Sequence, residues 1–346
     1  MDALPDELLL LVLSFVGDAR TLVEAVPLVC KRWRRLQRDH RVWADVDLEC
    51  NVHYDVMSAS RALLHAPTAR RLTVYEHHFL KNRLTHDDAA DPILQRAEAC
   101  RRLASALRRT RVVLTRAELA SAPGMTAEVL EAAVGLLRRQ RDHLRGLDVH
   151  LPVPPASTSL FEAVAMQRRL EALTVRMVVD EATDVYRGEL AGGRPLPNLA
   201  SLAITAEDHR GDPCVLPAGL CDLAADVIGA QLPALRRLEL DMGLEGLDQG
   251  LAGGVHQLPR LEALVLRVHV HDSDADVAAG ASEEDYVLSV LQANLDACAT
   301  VAPLRRLQLV LGTCFQETPG HLRGACQARV DDFKQRRPNV EVTFFM

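Results

Sequence analysis

The stretch Leu235-Arg236-Arg237-Leu238-Glu239-Leu240 decides the fold class of this 346-residue chain, because its pattern returns along most of the sequence. Leucine occupies its first, fourth and sixth positions, and the fourth position of each return is again leucine. These central leucines recur at intervals of 26 to 43 residues, at positions 147, 173, 202, 238, 264 and 307. Weaker versions occur at 69–74, around 112–114 and around 340–345. Such spacing predicts a structural repeat with insertions.

Segments with apolar residues at three- and four-residue steps separate these phrases, and this periodicity predicts helices. The predicted helices start at Asp91-Pro92, after Thr126, near Leu220, near Ser282 and after Thr318-Pro319. Short strands that alternate with helices predict an α/β fold with a parallel sheet. No glycine-rich phosphate loop follows any of the strands, which argues against a doubly wound nucleotide-binding sheet.

The part from 49 to 346 resembles the leucine-rich-repeat family at these phrases. The resemblance implies a solenoid whose parallel strands line a concave face and whose helices lie outside. The Asn or Cys that the family usually carries three residues after the last strand leucine is missing. Its places are occupied by Pro152, Val178, Glu207, Gly243, His269 and Gly312. We therefore expect an irregular α/β solenoid over this part of the chain.

Residues that alternate with the strand leucines should point to the concave face, because successive side chains of a strand lie on opposite sides. The candidates for binding a target protein there are Tyr75, His150, Arg176, Asp241, Arg267 and His269. If the target carries a phosphorylated motif, Arg176 and Arg267 are the first cations to consider. The alternative is a solvated sheet face that binds nothing.

The first 43 residues contain more apolar side chains than so short a segment can bury within itself. A first helix is predicted from Pro5 to Val16, ending at Gly17, and its apolar residues wrap more than one face. A second helix is predicted from Asp18 or Thr21, and a third from Pro27 with Val29, Cys30, Trp33 and Leu36 on its apolar side. A partner is therefore implied, although periodicity alone also fits an ordinary helical start to a globular core.

Three elements of this segment follow one another in a distinctive order: Leu4-Pro5, then Val29-Cys30-Lys31-Arg32-Trp33, then Trp43. At these residues the segment 1–48 resembles the F-box, the helical module that docks onto the Skp-family linker of cullin-RING ubiquitin ligases. The resemblance implies that a set of apolar residues binds this linker. The set is Leu4, Pro5, Leu8, Leu9, Val12, Leu13, Leu22, Val26, Val29, Cys30 and Trp33.

Charge and composition limit the ligand classes and the cellular compartments that fit this chain. The net charge of −7 argues against a general nucleic-acid binder, so the basic stretch 31–41 is interpreted as a solvated helix face or as charge that meets an acidic partner. Acidic residues precede the apolar run 8–16, which is therefore unlike a signal peptide and is too short to span a bilayer. The eight cysteines have no paired spacing, as expected in a reducing compartment. We expect a cytoplasmic or nuclear protein.

Signatures of catalysis are missing from the sequence. It contains no Gly-x-Ser-x-Gly elbow, Walker loop or His-Glu-x-x-His motif, and no cofactor is implied. His269 and His271, followed by Asp272, Asp274 and Asp276, could ligate a metal, but an acidic solvated loop is the interpretation we favour.

We predict a non-catalytic substrate receptor that joins a Skp-family linker, and through it cullin, to a target protein. The rivals are a scaffold that uses its F-box outside any ligase and a metal-dependent enzyme centred on the two histidines.

Overall fold

The computed structural model describes residues 4–51, 56–75, 92–120, 126–152, 157–178, 196–207, 232–243, 258–270, 283–313 and 320–346. The chain divides into two compact units. The first contains Met1–Pro152 and Ala156–Arg169, and the second contains Val153–Pro155 and Leu170–Met346. Within the described residues, no helix has both the length and the apolar character needed to cross a membrane.

The first unit begins with five short helices, which confirms the predicted helical module. They are α1 (Asp6–Ser14), α2 (Ala19–Glu24), α3 (Val26–Val29), α4 (Lys31–Leu36) and α5 (His40–Trp43). The prediction of one continuous third helix from Pro27 is wrong. Cys30 adopts an extended backbone, with φ of −164° and ψ of 171°, and separates α3 from α4. Its Sγ accepts a hydrogen bond from the Trp33 N–H at 3.5 Å, so Cys30 caps α4.

In the described residues, four strands and four helices complete the first unit. The strands are β1 (Asp47–Asn51), β2 (Thr68–Tyr75), β3 (Val113–Ala120) and β4 (Gly146–Pro152), and the helices are α6 (Val56–His65), α7 (Pro92–Arg109), α8 (Ala127–Arg139) and α9 (Ser157–Ala165). Each strand pairs in parallel with the next one along the chain. The register aligns Leu48 with Leu72, Leu72 with Ala117, and Ala117 with Leu147. Sequence analysis missed β1, α6 and α9.

The described residues of the second unit form six strands and two helices. The strands are β5 (Ala172–Val178), β6 (Ser201–Glu207), β7 (Arg237–Gly243), β8 (Ala263–Val270), β9 (Arg306–Thr313) and β10 (Glu341–Phe345), and the helices are α10 (Glu283–Thr300) and α11 (Gly320–Arg336). Leu173, Leu202, Leu238, Leu264 and Leu307 occupy one row of the parallel register and are all buried. The α/β class and the parallel sheet are thus confirmed. The predicted helix near Leu220 and the predicted start at Ser282 lie outside the described residues.

Buried polar side chains link successive strand–helix pairs of the first unit. The Gln140 Nε2 donates to the Val112 carbonyl at 2.8 Å, and its Oε1 accepts from the Leu114 N–H at 3.0 Å. Gln167 Nε2 donates to the Leu137 carbonyl at 2.9 Å, and the Thr110 hydroxyl donates to the Leu63 carbonyl. Each of these residues directly or closely follows a helix. They pair backbone groups that would be costly to bury alone.

The helical module packs directly onto the start of the strand region. Asp18 forms an isolated parallel bridge with Asp47, and the Ser58 hydroxyl of α6 donates to the Glu24 carboxylate of α2. Trp43 and Leu48 are both fully buried. The predicted boundary between 1–48 and 49–346 therefore falls inside β1, within one compact unit.

Candidate docking surfaces

Helix α1 presents two opposite apolar faces. Its inner face consists of Leu9, Leu10 and Leu13, each at most 5% exposed. Its outer face consists of Leu8, Leu11, Val12 and Phe15, which are between 47% and 80% exposed. The outer residues follow the spacing i, i+3, i+4 and i+7, which places them along one stripe of the helix. The excess of apolar side chains noted in the sequence is therefore displayed to solvent.

Exposed apolar side chains are concentrated in this module. Of the twelve large apolar residues that are exposed in the described part of the chain, seven lie between Leu4 and Val29. Besides the outer face of α1, the group includes Leu4 and, on α3, Leu28 and Val29. Exposed apolar residues scattered singly are normal, whereas such a concentration is typical of a protein-binding surface.

The structure divides the eleven residues that the sequence assigned to linker binding. Six are exposed, namely Leu4, Pro5, Leu8, Val12, Val29 and Cys30, and Trp33 is half-buried. The other four, Leu9, Leu13, Leu22 and Val26, are buried and pack inside the module. Because these four side chains are buried in the core of the module, only the seven others are accessible enough for direct contact with a linker. Leu11, Phe15 and Leu28 are exposed but are not in the set predicted to bind the linker, although the helical spacing of Leu11 and Phe15 from Leu8 points to two of them.

Two arginines of the basic stretch 31–41 form ion pairs with an aspartate of α1. Arg32 and Arg35 of α4 both form ion pairs with the Asp6 carboxylate, each at 2.6 Å. The Arg32 guanidinium also donates to the Leu4 carbonyl at 2.5 Å. These contacts hold the first turn of α1 against α4, and thereby fix the orientation of the outer face of α1.

Helix α5 is held in place by an aspartate cap and a buried tryptophan. Asp39 accepts from the Arg41 N–H at 2.9 Å and from the Arg41 guanidinium at 3.0 and 3.1 Å. The hydrogen bonds from the Arg41 side chain lower the pKa of Asp39 to about 2. At the other end of the helix, the fully buried Trp43 donates its indole N–H to the Gln37 carbonyl.

Two of the predicted target-binding residues lie on the sheet of the first unit. Tyr75 of β2 and His150 of β4 both align with Ala120 of β3, so they stand in one row with a single small residue between them. Both are half-buried. His150 Nε2 is buried and has no hydrogen-bond partner among the described residues.

Three further candidates lie in one row of the second unit. The register runs from Arg176 through Thr205 and Asp241 to Arg267. Arg267 forms ion pairs with Asp241 at 3.5 Å and with Glu239 at 2.8 Å. The Arg267 guanidinium is therefore already paired with two carboxylates. This pairing argues against its role as a binding site for a phosphorylated motif of the target. Sequence analysis did not select Glu239 as a site residue, because its pairing with Arg267 depends on the alignment of β7 with β8.

The residues still to be placed are the candidate metal ligands and the cysteines. His269 belongs to β8, but its side chain and the residues His271, Asp272, Asp274 and Asp276 lie outside the described atoms. Among described side chains, no three of His, Cys, Asp or Glu group as metal ligands. Cys50, Cys100, Cys298 and Cys326 are buried and form no disulfide among the described residues, and burial raises the pKa of the Cys50 and Cys298 thiols to about 12. Such thiols stay protonated at neutral pH.

Comparison with known proteins identifies the helical module. Residues 1–49 match the protein-family profile described as F-box-like. The match covers the five helices and the start of β1. No curated protein matches the chain. The predicted F-box at the N-terminus is thus confirmed as an F-box-like domain, whereas the resemblance to leucine-rich repeats stays a prediction.

Proposed function

We propose that this chain is the substrate-recognition subunit of a Skp–cullin–F-box ubiquitin ligase. The observation that carries the proposal is the exposed apolar outer face of α1 within an F-box-like domain. F-box domains generally bind Skp-family linkers, so this face has a partner class that matches its chemistry. Through the linker, the chain would be joined to cullin.

The proposed linker surface is centred on Leu4, Leu8, Leu11, Val12 and Phe15, together with the exposed residues of α3, and Pro5, Cys30 and Trp33 lie beside them in sequence. Burying one leucine or phenylalanine contributes about 1.5–3 kcal/mol. Several such side chains on one rigid stripe help to offset the translational and rotational freedom that is lost on association. The buried residues Leu9 and Leu13 contribute indirectly, since they keep the stripe rigid.

The strand region is proposed to be an irregular leucine-rich-repeat solenoid that binds the target protein. The supporting observation is the register, in which the repeated leucines pair strand by strand in sequence order within each unit. The polar faces that carry Tyr75 and His150 in one unit, and Arg176, Asp241 and Arg267 in the other, are candidates for the target contact. We do not assign a cofactor or a catalytic residue to either face.

The proposed mechanism is tethering. A receptor that holds a target lysine close to a charged ubiquitin carrier raises the local concentration of the acceptor, and other subunits perform the transfer. A cytoplasmic or nuclear location fits this role. The buried thiols of Cys50 and Cys298, which form no disulfide within the described part of the chain, are consistent with a reducing compartment.

The test is reconstitution with purified components. The full chain should form a complex with a Skp-family linker by isothermal titration calorimetry, and that complex should then bind cullin on a sizing column. Binding of the linker without cullin would favour a scaffold that works outside the ligase. Absence of any linker binding would reject the proposal.

A further inference from the structure

The groove between α6 and α7 of the first unit combines apolar and basic side chains. On α6, Met57, Arg61 and Leu64 are exposed at the spacing i, i+4 and i+7, which forms one stripe. On α7, Arg101, Arg102 and Arg109 are exposed along the facing stripe. The two stripes line an open groove with a volume of about 390 Å³. This surface belongs neither to the F-box-like helices nor to the polar face of the sheet.

The charges in the groove are only partly compensated. Glu98 pairs with Arg101 at 3.1 Å and with Arg102 at 2.8 Å, and among the described residues it is the single carboxylate that lines the groove. In the described part of the chain, four arginines and one acidic residue thus line the groove, although Arg61 also attracts Glu24 of α2, while the whole chain carries a net charge of −7. A concentrated positive patch on an acidic protein favours a negatively charged partner.

The groove is also lined by apolar side chains and a buried hydroxyl, which further limit the kind of partner that it can bind. Met57 and Leu64 are each nearly half exposed and would be covered by apolar side chains of a partner. The Ser60 hydroxyl, which also lines the groove, is buried and has no hydrogen-bond partner in the described part of the chain. The described lining residues include no aromatic side chain, so they offer no stacking platform of the kind that single-stranded nucleic acids use.

We propose that this groove docks an acidic, amphipathic helical segment of a partner protein. The acidic side chains would pair with Arg61 and Arg109, and leucine-like side chains would cover Met57 and Leu64. From Glu98 to Arg109 the groove follows α7 for about 16 Å, which corresponds to three turns of a bound helix. This site gives the chain a second protein contact that is independent of the F-box-like face.

The experiment measures the binding of a fluorescein-labelled peptide to the full chain by fluorescence anisotropy. The peptide is helical, about twelve residues long to cover three turns, with glutamates on one side and leucines at i and i+4 on the other. We expect saturable binding that weakens as salt rises, because the ion pairs lie at the surface. A peptide of the same composition in scrambled order should bind more weakly.

Matched substitutions locate the site. Arg109→Gln should weaken binding about three- to fivefold, while Arg111→Gln, an exposed arginine two residues outside the groove, should change it less than about twofold. Met57→Ser should weaken binding, and Met166→Ser should not, although Met166 is equally exposed. Circular dichroism of each variant checks that the fold is retained.

Several outcomes would overturn the proposal. Absence of saturable binding would do so, as would equal losses in Arg109→Gln and Arg111→Gln, which would indicate diffuse charge attraction. Tighter binding of a single-stranded oligonucleotide than of the acidic peptide would point to nucleic acid instead. A dimer in solution that dissociates in Arg109→Gln would assign the groove to a second copy of the chain.

Discussion

Leu8 and Leu9 are neighbours in α1, yet Leu8 is 47% exposed and Leu9 is 2% exposed. Consecutive residues of an α-helix are separated by about 100° around the axis, so the two side chains point to different surroundings. Leu9 packs into the F-box-like module, whereas Leu8 belongs to the stripe that we assign to a partner. One helix therefore stabilises the module and presents its docking surface.

The first prediction separates these two roles by their effect on stability. Leu9→Ala should lower the free energy of unfolding of the module by about 2–5 kcal/mol, because it leaves a cavity in the core. Leu8→Ala should change it by no more than about 0.5 kcal/mol. Both tryptophans of the chain, Trp33 and Trp43, lie in this module, so their fluorescence in a urea titration reports its unfolding. Equal losses for the two variants would show that the two faces of α1 are wrongly assigned.

The second prediction concerns the hydrogen bonds that Gln140 makes to the backbone. Gln140→Ala removes the partners of the Val112 carbonyl and the Leu114 N–H, both buried. Each unpaired group costs about 1–3 kcal/mol, so the local stability of β3 should fall by at least about 2 kcal/mol. Deuterium exchange of peptides covering 110–120 should accelerate. Gln335→Ala, at an exposed position of α11, serves as the control and should leave exchange in this segment unchanged.

The third prediction is a pH dependence at the cap of α5. The pKa of Asp39 is about 2 in the folded protein, below the value of about 3.9 expected in the unfolded chain. Its stabilising effect is therefore complete above pH 4 and is lost as the pH falls from about 4 towards 2. Asn caps helices as well as Asp does but carries no charge, so Asp39→Asn should remove this dependence.

The measurement is the urea midpoint of tryptophan fluorescence between pH 5 and pH 2. Native protein should be more stable than Asp39→Asn at pH 5, and the difference should shrink as the pH approaches 2. A difference that stays constant over this range would contradict the role assigned to the Asp39–Arg41 contact.

The leucine spacing predicted the strand region well, because residues such as Leu238 and Leu264 are repeated at positions that the parallel register requires. The strand β1 escaped prediction, because its apolar residues Leu48 and Cys50 follow the helical module without a separate leucine phrase. The break between α3 and α4 at Cys30 was not predicted either. Apolar residues keep the helical period across it, so periodicity alone does not reveal the change of backbone direction.

The candidate docking surface was predictable in part. Sequence order and spacing were enough to select the module and most of its exposed residues. They did not separate Leu8 from Leu9, since both are leucines on a helix with two apolar faces. The pairing of Asp6 with Arg32 and Arg35, which orients that helix, joins residues far apart in sequence and emerges only from the tertiary packing.

The structure also determines how the docking claim should be tested. Deleting residues 1–48 would remove Val46 and Leu48, which are buried at the start of the strand region, and would damage the first unit. Substitutions on the exposed stripe avoid this problem. Leu8→Asp combined with Phe15→Asp changes only exposed positions, and Met166→Asp is the control at an exposed apolar position outside the module.

The most direct test is calorimetric titration of the full chain with a purified Skp-family linker. The native chain and Met166→Asp should bind with the same affinity. The Leu8→Asp/Phe15→Asp variant should bind about 100-fold more weakly, since two apolar contacts are lost, while its urea midpoint stays close to that of the native chain. Unchanged linker binding by this variant, or no binding by the native chain, would contradict the assignment of the α1 outer face as the docking surface.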